Sequence, residues 1–137
     1  MKSLKRVTAD WFAGARFGLF IHWGRASLHG WELSWPLVGG NKALPYATPV
    51  PPDVYHRDAR SFSPQKGAAR EWMRLARRAG MRYAVLTTKH HDGFALFPTA
   101  HTDWSIAATP YGGDLVEYVE AARAEGLRVG FYLSLSD

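Results

Sequence analysis

The chain of 137 residues contains no cysteine, which excludes disulfide bonds, thiolate metal sites and cysteine nucleophiles. It also lacks any apolar run approaching the roughly 20 residues of a membrane span, so no membrane association is expected. The first ten residues carry positive charge but no apolar run of signal-peptide length, and read from Met1 they predict a cytoplasmic product. Export stays open if the true start lies upstream.

A concentrated basic surface is lacking too. Lys and Arg total 17 against 12 Asp and Glu, but they are scattered through predicted helices and connections. Such scattering indicates a solvated surface, and no nucleic-acid partner is expected. What the sequence does contain is six Trp, six Tyr and seven Phe within a 47% hydrophobic composition, which is typical of a globular core in one domain spanning 1–137.

Three apolar runs rich in β-branched and aromatic residues lie at 17–22, 83–88 and 129–134. Each is apolar on consecutive positions and does not alternate. This pattern predicts strands that are buried on both faces of a parallel sheet.

Two predicted helices precede the second and third strands. Apolar residues recur at helical spacing over 68–79 and 115–122, and Gly80 and Gly126 follow as helix-ending residues. The order of elements predicts successive βα units of a parallel α/β fold. Because the third strand still needs a covering helix or a neighbour, we interpret the chain as a truncated larger domain, with a small domain that dimerises over its open edge as the alternative.

The segment 39–52 holds four of the eight prolines and two adjacent glycines, which predicts a long irregular loop. Polar residues follow each predicted strand, and in parallel α/β folds the carboxyl ends of the strands form the ligand-binding edge. We therefore expect His22, His90 and His91 to meet at this edge, near Trp35. Adjacent histidines on a continuing strand would point to opposite sides, so Gly93 is expected to turn the chain there.

Imidazoles beside tryptophans suit a sugar, because aromatic rings pack on its C–H faces and neutral histidine offers a donor and an acceptor to its hydroxyls. A metal site is the rival interpretation. His22, His90, His91, Asp92 and Asp137 include common ligand types, but no H-x-x-x-H spacing is present, and no metal or cofactor is expected.

Carboxylates that could cleave a glycosidic bond are few near this edge. Retaining hydrolysis needs two carboxyl groups about 5–5.5 Å apart. Asp92 is interpreted mainly as a turn residue that accepts hydrogen bonds from loop amides. Glu32 is a candidate for binding hydroxyls or pairing with an arginine, and Asp137 is the last residue. No convincing pair of acid and nucleophile is present.

The chain resembles the α-L-fucosidases of glycoside hydrolase family 29. The resemblance rests on segments that occur in the family's order and spacing over nearly the whole chain, namely F-I-H-W-G at 20–24, K-H-H-D-G-F at 89–94, T-D-W at 102–104 and G-L-R-V-G-F-Y at 126–132. It implies a (β/α)8 barrel, of which this chain would hold about the first three βα units. It also implies release of α-linked L-fucose with retention of configuration.

The same resemblance implies site residues. His22, His90 and His91 match fucose-binding histidines, and Trp35 matches the tryptophan of a Glu-Trp element in the first loop. Ser34 stands where that glutamate is usual, with Glu32 two residues earlier. Tyr132 lies where the family often has two adjacent tyrosines, and a substrate-binding role is carried over to it.

The resemblance places the family's nucleophilic aspartate after the fourth strand and its acid/base residue later still, both beyond Asp137. The chain alone is therefore expected to be inactive. A fucosylated glycan or glycoside is the expected substrate, and a homo-oligomeric full-length enzyme is compatible with the resemblance. The alternatives are a metal-dependent hydrolase of another class and a non-catalytic carbohydrate-binding module.

Overall fold

The computed structural model describes residues 10–31, 33–38, 49–57, 61–111 and 115–135. Within them a three-stranded parallel sheet has the order β1 (Leu19–Ile21), β2 (Tyr83–Lys89) and β3 (Arg128–Leu133). In the register, Ala84 of the central strand lies opposite Leu19 on one side and Val129 on the other. The predicted α/β class and parallel pairing are confirmed.

The described parts of the chain contain five α-helices: α1 (Asp10–Ala15), α2 (Trp35–Val38), α3 (Pro52–Arg57), α4 (Ala68–Arg78) and α5 (Val116–Ala124). Short 3-10 helices lie at Arg25–Leu28 and Ile106–Ala108. Helices α4 and α5 were predicted from periodicity. The other three have four to six residues, too few for a helical period to repeat.

The main core lies between the sheet and the helices α4 and α5. Met73 of α4 is fully buried there, against Leu86 of β2 and the buried ring of Tyr118 from α5. Full burial of such a side chain stabilises the fold by about 1.5–3 kcal/mol. Helix α4 ends as predicted, because Gly80 adopts a φ of 85° that permits the chain to reverse direction at no steric cost.

The expectation that all three strands are buried on both faces is wrong for β1 and β3. Phe20 of β1 is 50% exposed and Phe131 of β3 is 53% exposed. These are the outer strands of the sheet among the described residues, so neither is flanked on both sides as β2 is. The face that carries Phe20 also carries His22 and Tyr132, whose rings lie near that of Phe20.

The predicted irregular segment 39–52 lies mostly outside the described residues. Its last residue, Pro52, is not irregular, because it begins α3. Proline is well suited to a first helical turn, where its missing N–H would have no partner in any case.

Candidate functional site

Aromatic rings from all three strands meet at the carboxyl edge of the sheet, as the sequence predicts. His22 directly follows β1, His90 directly follows β2 and Tyr132 lies near the end of β3. The ring centre of His90 is 5.7 Å from that of His22 and 6.1 Å from that of Tyr132. The side chain of Thr87 ties β1 to β2 at this edge, since its Oγ1 accepts a hydrogen bond from the backbone N of Trp23 at 3.1 Å.

The two adjacent histidines lie on the same side of the chain because β2 ends before them. Their ring centres are 4.6 Å apart. Gly93 has a φ of 75°, in the left-handed region, and so provides the predicted turn. The ring of Trp35, at the start of α2, is centred 5.9 Å from His90 and 5.3 Å from His91.

Each of these histidines is hydrogen-bonded to a serine through Nδ1. The Oγ of Ser34 is 2.5 Å from Nδ1 of His90, and the Oγ of Ser134 is 2.7 Å from Nδ1 of His91. Ser34 comes from the loop after β1, where it is 1% exposed, and Ser134 follows β3. The pair is thus held from two different parts of the chain.

The protonation of His90 is set mainly by its burial. The pKa of His90 is lowered from 6.5 to about 4, chiefly by burial and also by the charges of His91 and His22, while the Asp92 carboxylate opposes them. At neutral pH the imidazole therefore carries no charge, and its two nitrogens provide one donor and one acceptor.

Asp92 has the turn-fixing role predicted for it and also bonds across the fold. Its Oδ1 accepts a hydrogen bond from the backbone N of Phe94 at 3.1 Å. Its Oδ2 accepts one from the hydroxyl of Tyr55 in α3 at 2.8 Å, and its carbonyl accepts one from Nε1 of Trp104 at 3.0 Å. One bond within the turn and two from separate segments thereby fix the turn that carries the histidines.

A buried arginine lies beneath this turn. The guanidinium of Arg25 is 4.9 Å from the ring centre of Tyr55 and 5.5 Å from that of Trp104, and the side chain is 1% exposed. Burial and the Asp92 carboxylate raise the pKa of Tyr55 far above its usual value, while Arg25 opposes the rise. The Tyr55 hydroxyl therefore remains a proton donor to Asp92.

A cleft lies beside the histidine edge. The lining residues include His22, Arg25, Trp31, Ser34, His90 and Asp92. Trp35, His91 and Tyr132 adjoin it through their ring contacts with His90. Glu32, one of the predicted site residues, and the terminal Asp137 both fall outside the described residues. The described residues contain no group of three or more His, Asp or Glu placed to hold a metal ion.

Sequence reasoning did not identify Arg25, Tyr55 or Ser134 as parts of the site. Ser134 was visible as a polar residue after a strand, which was a usable signal. Arg25 and Tyr55 gave none, because their contacts depend on how loops distant in sequence fold against the turn at Asp92.

The fold and this edge define a parallel α/β protein with a polar, aromatic-lined cleft at the carboxyl ends of its strands. The family model described as alpha-L-fucosidase matches residues 1–137. The chain belongs to the α-L-fucosidase family. Tissue α-L-fucosidase of Rattus norvegicus is 37% identical over 144 residues, covering 95% of this chain and 30% of the rat protein.

Solved structures agree with this assignment. α-L-fucosidase isoenzyme 1 from Paenibacillus thiaminolyticus is similar with a TM-score of 0.78 and 42% identity, over 94% of this chain and 29% of that one. An α-L-fucosidase from Bacteroides thetaiotaomicron, trapped as a covalent intermediate with 2-fluoro-fucosyl fluoride, is similar with a TM-score of 0.75 and 34% identity, over 92% of this chain and 29% of that one. The chain thus spans about 30% of the length of these relatives. No helix among its described residues is long and apolar enough to cross a membrane.

Proposed function

We propose that the complete gene product is a retaining α-L-fucosidase, in which this chain forms about the first three βα units of a (β/α)8 barrel and one wall of the fucose subsite. The β1-β2-β3 order of neighbouring parallel strands is the order that such a barrel begins with. The half-exposed Phe20 and Phe131 fit a sheet that continues into further strands and layers.

The observation that carries this proposal is the meeting of His22, His90 and His91 with Trp35 and Tyr132 at the carboxyl edge, in a chain matched over its whole length by the α-L-fucosidase family. Barrel enzymes bind their substrates at this edge. The three imidazoles supply directional hydrogen bonds to sugar hydroxyls, and the rings of Trp35 and Tyr132 supply apolar surface for its C–H groups.

The charge state of the wall fits a neutral sugar. His90 is uncharged at neutral pH, so it meets a hydroxyl as donor or acceptor without the cost of desolvating a cation. Ser34 stands where the family resemblance leads one to expect glutamate, and its hydroxyl is bonded to His90. At this point of the subsite, the sugar is therefore bound by the imidazole of His90, which the hydroxyl of Ser34 supports.

The catalytic carboxyl groups are proposed to come from segments that follow residue 137. Among the described residues that line the cleft, Asp92 is the one carboxylate. Both of its oxygens accept hydrogen bonds within the protein, which keeps it in the turn rather than at a glycosidic bond. Retaining hydrolysis needs two free carboxyl groups, one on either side of that bond, and the part of this wall that the structure describes supplies neither.

The test is hydrolysis of an aryl α-L-fucoside by the complete gene product and, separately, by residues 1–137. We expect turnover by the complete product, with α-fucose as the first anomer seen by NMR, and none by residues 1–137. An aryl α-D-glucoside serves as the control substrate. Absence of fucoside turnover by the complete product would overturn the proposal. Turnover by residues 1–137 would overturn the part of it that assigns the catalytic groups to later segments.

A further inference from the structure

Ser34 is placed as a support for His90. It is 1% exposed, and its hydroxyl lies 2.5 Å from Nδ1 of the imidazole. Its backbone is fixed as well, because its carbonyl accepts a hydrogen bond from the N of Leu37 at 3.0 Å. The residue before it, Leu33, has a φ of 53°, a left-handed conformation that non-glycine residues adopt only where the surroundings hold them there.

The hydrogen bond through Nδ1 decides which atom of His90 can meet a ligand. With Nδ1 engaged on one side of the ring, Nε2 is left on the other side, and His90 lines the cleft. A serine hydroxyl can both donate and accept, so it satisfies Nδ1 whether or not that nitrogen carries the proton. The neutral ring can therefore present a proton or a lone pair at Nε2 without moving.

Such a two-way contact suits a sugar hydroxyl, which also donates and accepts. A carboxylate at the same position would behave differently, because it only accepts, and would hold the proton on Nδ1. It would also favour the charged imidazolium. The hydroxyl thus leaves the ring neutral, as its burial dictates, and able to exchange tautomers.

We propose that Ser34 is a positioning residue for ligand recognition, which acts through His90 by holding the ring and leaving Nε2 to serve as donor or acceptor to a hydroxyl of a neutral sugar. The inference rests on the proposed function for the identity of the sugar. The contact between the two residues is independent of it.

The contact is tested in the ligand-free complete gene product, by ring 15N–1H correlation spectra at pH 7. We expect Ser34→Ala to shift the Nδ1 signal of His90 and to leave His22 unchanged. Ser134→Ala, the matched variant on the other histidine, should shift His91 instead. Ser63→Ala, at an exposed serine of the loop before α4, should shift neither. Unchanged His90 signals in Ser34→Ala would overturn the inference.

Its role in recognition is tested with L-fucose by calorimetry. Loss of one supporting hydrogen bond should weaken binding by about five- to tenfold in Ser34→Ala, and Ser34→Thr, which keeps the hydroxyl, should restore most of it. In a His90→Ala background the same serine substitution should have no further effect, because its action passes through the ring. An equal loss in both backgrounds would mean that Ser34 touches the sugar itself, and would overturn the positioning role.

The two proposals fail in different ways. If the unsubstituted protein does not bind L-fucose, the proposed function fails, while the ring spectra still decide whether Ser34 holds His90. If the protein binds L-fucose but Ser34→Ala shifts the ring signals without weakening binding, the positioning inference alone is overturned.

Discussion

The hydroxyl of Tyr55 donates a hydrogen bond of 2.8 Å to Oδ2 of Asp92, joining helix α3 to the turn that carries His90 and His91. The two residues are 37 positions apart in sequence. Through this bond, a helix distant in sequence helps to fix the turn at the edge of the sheet. Substitutions of residues that need not touch a ligand are therefore expected to change ligand binding.

Tyr55→Phe removes this hydrogen bond and keeps the ring. Because the bond ends on a half-buried carboxylate, we expect the free energy of unfolding to fall by about 1.5–3 kcal/mol, and the affinity for L-fucose to fall with it. The control is Tyr118→Phe, which removes a hydroxyl bonded to the Gly130 carbonyl at 3.3 Å in the main core. That variant should lose stability only. Equal affinities in the two variants would refute the link from Tyr55 to the histidine turn.

Gly93→Ala tests the turn after the histidine pair. An alanine at a φ of 75° is strained, and we expect a loss of about 1 kcal/mol in unfolding free energy together with weaker sugar binding. Gly80→Ala is the matched control, because its φ of 85° imposes the same strain at the end of α4, away from the cleft. Chemical denaturation and calorimetry measure the two effects. Loss of affinity in both variants would mean that the effect is general destabilisation.

The lowered pKa of His90 predicts a pH dependence of stability. In the unfolded chain the ring takes up a proton near pH 6.5, whereas in the fold it does so only near pH 4. Its contribution to stability is therefore complete above pH 6.5 and is lost as the pH falls from 6.5 towards 4. The unfolding free energy of the unsubstituted protein should fall more steeply over this range than that of His90→Gln. Parallel curves, or an NMR titration midpoint for His90 near 6.5, would contradict this.

Met73→Ala tests the core between α4 and the sheet. Removing a fully buried methionine should cost about 2–5 kcal/mol of unfolding free energy, because the cavity left behind only partly collapses. Leu75→Ala, on the exposed side of the same helix at 66% exposure, should cost far less. Similar losses in thermal unfolding would show that α4 does not pack as described.

The parts of the fold that could be predicted were those with repeating patterns. Strands β2 and β3 were predicted from apolar runs. Helices α4 and α5 were predicted from apolar residues at helical spacing, followed by Gly80 and Gly126 as helix-ending residues. The burial of β1 and β3 was overestimated. An apolar run indicates that a strand needs to be covered, but it does not show which other elements cover it. Helices of four to six residues left no period to detect.

The site was predictable where it depended on strand ends and not where it depended on loop packing. The convergence of His22 and His90 followed from parallel topology, and the role of Asp92 in its turn followed from local sequence. The bond between Ser34 and His90 spans 56 positions and depends on the path of the first loop. The position of Arg25 over Tyr55 is equally non-local.

The most direct test of the central claim compares kcat/KM for an aryl α-L-fucoside in His90→Ala and His101→Ala variants of the complete gene product. His101 is an exposed histidine away from the cleft. We predict a loss of at least about tenfold for His90→Ala, the loss expected when a hydrogen-bonding group at the sugar is removed, and no change for His101→Ala. Full activity in His90→Ala would contradict the assignment of this edge as the sugar-binding wall.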